Sequence, residues 1–308
     1  MRAGTCGRQE RSGILRRVLA VGSLALFAIG EVGAPEVAAA TNTNAIHYGY
    51  ALVDSTGELY GTWLPCPPGP GVMAEPLIAA LKPPIVVRSV GASFYLDPNE
   101  AGADVVANTD GSVNNVSPVA GVPLAAPIVG VATAPTGLGY WLAGADGGVF
   151  AVNGAAFFGS MAAAHLNAPI VGIAGDPGGH GYWLVAADGG VFALGGTVFA
   201  GSLGTTPLRR PVVGIAATPT GRGYWVASAD GSVYPFGDAV FYGSRDQQPL
   251  NKPVVGIAAT NDGLGYWLAA ADGGVFAFGD AQMTMSLADR PPLSPIVGVA
   301  LWPQQCPA

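Results

Sequence analysis

Four carboxylates recur at a fixed step in this chain. Asp146, Asp188, Asp230 and Asp272 are each followed by Gly and lie 42 residues apart. A repeated carboxylate beside glycine raises calcium as a ligand. A calcium loop needs several oxygen ligands in one short segment, as in D-x-D-x-D-G, whereas each of these segments has one. The Asp-Gly pairs sit instead between β-rich runs, where positions of positive φ suit a hairpin turn. Nucleophilic catalysis finds little support: no G-x-S-x-G is present, since Ser202 has Ala200 two residues before it. His47, His165 and His180 do not recur at equivalent places in the repeats and lack metal-ligand spacing. No catalytic residue, metal or cofactor is expected from these types and spacings.

The 42-residue step extends to whole phrases. Apolar runs start at Pro127, Pro169, Pro211, Pro253 and Pro295, and Tyr140, Tyr182, Tyr224 and Tyr266, each followed by Trp, keep the same interval. Each unit reads as four strands: PIVGIAA, GYWLVA, GVFAF and a short run such as Ala239–Ser244. No segment of the unit has helical length or a 3.6-residue period, so helical repeats are excluded. A four-stranded antiparallel meander of about 42 residues predicts a β-propeller blade. The first strand is expected innermost, with its Gly where neighbouring backbones approach closely. Adjacent Tyr and Trp point to opposite faces of the second strand. Both are read as core between blades rather than as sugar-stacking platforms.

Counting predicts an all-β, six-bladed propeller: blades 47–83 plus 295–301, 84–126, 127–168, 169–210, 211–252 and 253–294. In the second blade Pro84-Ile-Val-Val is read as the first strand and Gly91 to Asp104 as a long first loop. The run Pro295–Leu301 is a first strand with nothing after it, and Gly49–Tyr60 resembles second and third strands with nothing before them. Together they complete one blade and close the ring, which protects both terminal edges. Cys66 and Cys306 then fall on one face of that blade, so a disulfide between them is expected. It closes a loop of about 240 residues and is worth roughly 2–5 kcal/mol.

The stretches PVVGIAATPTGRGYWVASADGSVYPFGDAVFYGS (211–244) and PVVGIAATNDGLGYWLAAADGGVFAFGDA (253–281) resemble a repeat of exported actinobacterial proteins. The resemblance is close over 127–301 and faint over 47–126. It implies export and a propeller, and no particular reaction.

Composition agrees with export. Arg2, Arg8, Arg11, Arg16 and Arg17 precede an apolar stretch, Val18–Gly30, and Ala38-Ala39-Ala40 offers a cleavage site. This is the layout of a signal peptide over residues 1–40, with residues 41–308 as one propeller, secreted or in the cell envelope. Membrane attachment is expected only if the signal segment is retained as an anchor. Five of the 13 Lys and Arg and three of the 20 Asp and Glu lie in residues 1–40, leaving a formal −9. So acidic a body excludes nucleic acid as the expected partner.

Recognition is expected where the repeats differ. The connections between blades vary most and hold His165, Asn167, Arg209, Arg210, Arg245, Asp246, Asn251, Lys252, Asp289 and Arg290. They form either a polar binding rim for a glycan or protein outside the cell, or ordinary solvated loops. On the opposite face Leu138, His180, Arg222 and Leu264 share one slot, and Asp97, Glu100 and Asp104 crowd one loop. Three functions follow: a non-catalytic binding or scaffold propeller, a hydrolase or lyase at the channel mouth using groups such as Asp246, Asp289 and His165, or a structural envelope protein.

Overall fold

The computed structural model describes residues 46–56, 58–61, 89–95, 103–113, 119, 122–135, 139–283 and 285–305. The expected cleavage site, Cys66, Cys306 and the acidic loop residues Asp97 and Glu100 lie outside the described residues.

Each regular repeat begins with Pro followed by two β-branched residues, a sequence suited to an extended chain. The Pro carbonyl accepts the amide of a turn in its own sheet: Ala145 on Pro127, Ala187 on Pro169, Ala229 on Pro211 and Ala271 on Pro253, at 2.9–3.0 Å. Three antiparallel strands result. Ile128–Thr133 (β5), Tyr140–Gly144 (β6) and Val149–Val152 (β7) form one sheet. Ile170–Gly175 (β8), Gly181–Ala186 (β9) and Val191–Gly195 (β10) form the next. Val212–Ala217 (β11), Tyr224–Ser228 (β12) and Val233–Phe236 (β13) follow, then Val254–Ala259 (β14), Gly265–Ala270 (β15) and Val275–Gly279 (β16).

Both termini of the described region share one sheet. Ile46–Asp54 (β1) lies between Leu59–Gly61 (β2) and the final strand, Ile296–Gln305 (β17). The pairing of β1 with β17 is antiparallel and runs from Ile46 opposite Gln305 to Asp54 opposite Ile296. The amide of Ser55 bonds the Pro295 carbonyl at 2.9 Å, as Ala145 does Pro127. Thus β17 occupies the position of a first strand, although the chain meets it last.

In the remaining sheet Ser89–Tyr95 (β3) pairs with Ala103–Asn108 (β4). Much of what the sequence suggested as a loop, Gly91 to Asp104, is therefore strand. The register explains the misassignment. Every first strand carries a bulge just before its Gly, between Ile128 and Gly130, Ile170 and Gly172, Val212 and Gly214, and Val254 and Gly256. The same bulge falls between Ser89 and Gly91. Ser89-Val90-Gly91 therefore matches the Ile-Val-Gly of the regular first strands at the bulge.

The inner strands touch in the succession β3, β5, β8, β11, β14, β17 and again β3. The protein is thus all-β among its described residues and arranged as a β-propeller. Gly130, Gly172, Gly214 and Gly256 lie where these strands meet. A methyl group on Gly130 would sit 3.4 Å from the Gly172 Cα and 3.3 Å from the Ile173 amide nitrogen. Between sheets, Trp of one repeat packs on Tyr of the next. Ring centroids are 5.2 Å apart for Trp141 and Tyr182, 5.7 Å for Trp183 and Tyr224, 5.7 Å for Trp225 and Tyr266, and 5.3 Å for Trp267 and Tyr50. The aromatic rows are core, and β6, β9, β12 and β15 are buried along their whole length.

Among the described residues no fourth strand forms in the regular sheets. The outer segments 155–160, 197–202 and 239–244 make no ladder with the third strand. Side chains hold them instead. The Trp indole N–H donates to Ala156, Val198, Val240 and Gln282 carbonyls at 2.7–2.9 Å. From the next sheet, Tyr182 and Tyr224 hydroxyls donate to Gly159 and Gly201 carbonyls at 2.5 and 2.6 Å. The segment is a wedge between sheets rather than an edge strand. It leaves Phe157, Phe199, Phe241 and Met283 exposed on the outside.

Candidate functional site

One face of the propeller is organised by the Asp-Gly turns. In each, the Asp carboxylate accepts the amide two residues on: Gly148, Gly190, Ser232 and Gly274, at 3.0–3.1 Å. That bond closes the turn with one oxygen of the carboxylate. Among the described residues no cluster of three or more metal-binding side chains occurs.

The connections cross the same turns. The amides of Met161, Leu203, Arg245 and Leu287 donate to the carbonyls of Gly147, Gly189, Gly231 and Gly273, at 2.8–2.9 Å. The next first strand is tied there too, through Ile170 to Ala145, Val212 to Ala187, Val254 to Ala229 and Ile296 to Ala271, at 2.9–3.0 Å. A rigid turn therefore supports each variable connection at both ends.

The ten sequence-predicted recognition residues divide into two groups. His165, Asn167, Arg209, Arg210, Asn251, Lys252, Asp289 and Arg290 are exposed. No side-chain hydrogen bond or ion pair with other described residues engages Arg209, Arg210 or Lys252. Arg245 and Asp246 are half-buried and engaged within the chain. The Arg245 guanidinium lies 4.4 Å from the centroid of the Phe276 ring in the next sheet and bonds the Gln248 side chain. Its Nε is shielded from solvent without a partner. Asp246 accepts the Ser244 hydroxyl at 2.5 Å. Asp246, Asp289 and His165 belong to three separate connections.

The opposite face carries side-chain pairs that sequence reasoning passed over. His180 Nδ1 lies 2.7 Å from Asp176 Oδ2, with 71% of the His side chain exposed and 6% of the Asp. The His180 amide donates to the same carboxylate at 3.0 Å. The shallow signal was positional: Ala134, Asp176, Thr218 and Thr260 share one slot, as His180 shares its own with Arg222 and Leu264. In the next sheet, Thr218 and Thr220 hydroxyls donate to Asp238 at 2.8 and 2.5 Å. In the following repeat Thr220 is replaced by Asp262, which sets two carboxyls together. The Leu264 amide and Thr260 hydroxyl hold Asp262 below the ordinary carboxylate range. Burial, then hydrogen bonding with negatively charged Asp262, pushes Asp280 above it. Such a pair can share a proton, but both members lie exposed.

No protein-family model matches the chain, and no curated protein matches it. Among solved structures it is similar to the β-propeller domain of Cps50 (Swd1) from Myceliophteria thermophila, with 14% sequence identity and a TM-score of 0.41. The match covers 57% of this chain and 61% of that one, less than two thirds of its length. Among the described residues no helix is long and apolar enough to cross a membrane.

Proposed function

We propose that the chain is an exported, non-catalytic binding protein: a six-bladed β-propeller that recognises an envelope glycan or a protein through the connections between its blades. One observation carries this reading. Exposed polar and cationic side chains without internal partners stand on connections braced at both ends by rigid turns, an arrangement suited to binding with little ordering cost. Closure by β17 is supported by the Ser55–Pro295 bond and by Tyr50, whose hydroxyl bonds the backbone of Met285. A Cys66–Cys306 disulfide would clasp that closure in an oxidising compartment. The signal-peptide layout of residues 1–40 supports secretion or an envelope location, with no nucleic acid and no cofactor.

The second reading is a hydrolase or lyase acting on a glycan, ester or lactone. The Asp176–His180 and Asp262–Asp280 pairs favour it, but His180, Asp262 and Asp280 lie open to solvent and both pairs stand on the face away from the connections. The third is a structural envelope protein. Screening the protein against immobilised glycans and against hydrolysable esters, lactones and glycosides separates the three. Specific glycan capture without turnover is expected. Turnover lost in Asp262→Asn or His180→Ala would replace the binding reading with the enzymatic one, and inactivity in both screens would leave the structural one.

A further inference from the structure

The turn Ser228–Ser232 differs from its three counterparts in the charge gathered around it. The Ala229 amide donates to the Pro211 carbonyl at 2.9 Å, and its carbonyl accepts the Val254 amide at 3.0 Å. These two bonds set Arg210, beside Pro211, and Lys252, two residues before Val254, on either side of a single residue. At the other end of the turn the Gly231 carbonyl accepts the Arg245 amide at 2.9 Å. The residues preceding Pro127, Pro169 and Pro295, which open other first strands, are uncharged: Ala125-Ala126, Asn167-Ala168 and Leu293-Ser294. Met161, Leu203 and Leu287 stand where this repeat has Arg245. Arg209, Arg210, Arg245 and Lys252 are four of the eight cations that the chain carries outside residues 1–40. They gather at one sector of one face.

The carboxylates of the sector are engaged. Asp230 accepts the Ser228 hydroxyl at 2.6 Å and the Ser232 amide at 3.1 Å, and Asp246 accepts the Ser244 hydroxyl. Arg245 is fixed over Phe276, while Arg209, Arg210 and Lys252 are exposed and free to meet a ligand. The large hydrophobic side chains that are exposed among the described residues lie elsewhere, on the outer segments, on the opposite face at Leu264 and on other connections at Val122 and Leu293.

We propose that this sector binds an extended anionic glycan, whose carboxylate or phosphate groups pair with Arg209, Arg210 and Lys252. The proposal rests on the glycan-binding reading above and narrows it. Protein interfaces centre on desolvated, well-packed anchors in which Trp and Tyr accompany Arg, and a stacked neutral sugar uses an exposed ring; the sector presents exposed cations and no exposed large hydrophobic side chain. Guanidinium forks match carboxylate and phosphate geometry in two-point contacts. A polymer sums several weak, screened contacts into useful avidity. The negative charge elsewhere is screened beyond about 8 Å at physiological ionic strength, so local cations govern contact.

The test titrates the purified protein with polygalacturonate, with poly(glycerol phosphate) and with fully methyl-esterified polygalacturonate. Variants are R209S/R210S/K252S, the charge-retaining R209K/R210K, and R222S on the opposite face. Binding of either anionic polymer is expected, and the tighter one assigns carboxylate or phosphate. The triple variant should bind about tenfold or more weakly, and wild-type affinity should fall about tenfold from ~50 to ~300 mM NaCl. R222S should retain binding, R209K/R210K should bind more weakly than wild type but more tightly than the triple variant because the charge is kept and the two-point contacts are lost, and an unchanged melting temperature shows that the triple variant is folded. Binding of the esterified polymer as tightly as the acid form, unaltered in the triple variant, overturns this inference and leaves the glycan-binding reading standing. No binding to any glycan overturns both, and tighter binding of polyglutamate or a DNA duplex overturns the choice of a glycan.

Discussion

Tyr224→Phe deletes one oxygen and probes how neighbouring sheets are held together. The hydroxyl donates to the Gly201 carbonyl at 2.6 Å and accepts the Ala200 amide at 3.2 Å, both on the outer segment of the preceding repeat. Burial pushes this phenol above its ordinary range, so it keeps its donor proton at neutral pH. The ring itself would stay against Trp183 and Phe236, at centroid distances of 5.7 and 5.6 Å. The perturbation therefore isolates polar partners from packing. A buried group left without a partner costs about 1–3 kcal/mol. Ala200 and Gly201 are only half-buried, so water recovers part of the loss, and the net cost is about 1–2 kcal/mol. In a domain of this size that lowers the melting temperature by roughly 2–8 °C. Urea unfolding is the assay, with a lower midpoint at an unchanged slope. Tyr50→Phe should cost a similar amount, because its hydroxyl also bonds a backbone carbonyl and amide, both of Met285, across 235 positions of the chain. A loss below about 0.3 kcal/mol in both variants would refute the claim that these hydroxyls, rather than ladder bonds, retain the outer segments.

At the strand junctions Gly130→Ala and Gly214→Ala should differ in sign. The new methyl meets Ile173 Cγ2 at 3.1 Å in the first case but Ile257 Cγ2 at 3.5 Å in the second. Gly130→Ala should lose about 1–2 kcal/mol to overpacking, and Gly214→Ala should be neutral or gain up to about 1 kcal/mol from a stiffer unfolded chain, both read by urea midpoints. For Asp230, burial raises the carboxyl, but hydrogen bonds from Ser228 and Ser232 outweigh it and hold it below its ordinary value. A carboxyl lowered in the folded state stabilises the fold above its unfolded value of about 4 and loses that contribution as pH falls through the lower folded value. Asp230→Asn should therefore cost stability near neutrality, and its unfolding midpoint should converge with wild type as pH drops below about 4. If Cys66 and Cys306 pair, alkylation of the unfolded, unreduced, secreted protein finds no free thiol at either position, and Cys66→Ser costs roughly 2–5 kcal/mol; free thiols there would defeat the pairing.

Local chemistry made the repeat legible before any coordinates. Asp188-Gly189 closes a hairpin wherever it occurs, because its carboxylate reaches its own backbone and its Gly accepts positive φ (84°). Adjacent Tyr and Trp must face opposite ways on any strand, so their burial between sheets followed from alternation. Gly91 to Asp104 was misread as a loop because the bulge before Gly91 sets the pairing of Ser89–Tyr95 with Ala103–Asn108 across the ladder. The outer segments were misread because AVFYGS has strand composition, while its partners are indole and phenol groups about 15 and 23 positions away. Asp176 was missed since its meaning lies in His180 folding back onto it.

The chain alone determined the period, the strand-and-turn content and the apolar seams, since each depends on residues within one unit. Only the tertiary structure decided that the outer run is a wedge, that Arg245 is stacked while Arg210 and Lys252 are free, and that these cations flank one turn. Those outcomes depend on contacts between units, whose distances no spacing along the sequence encodes.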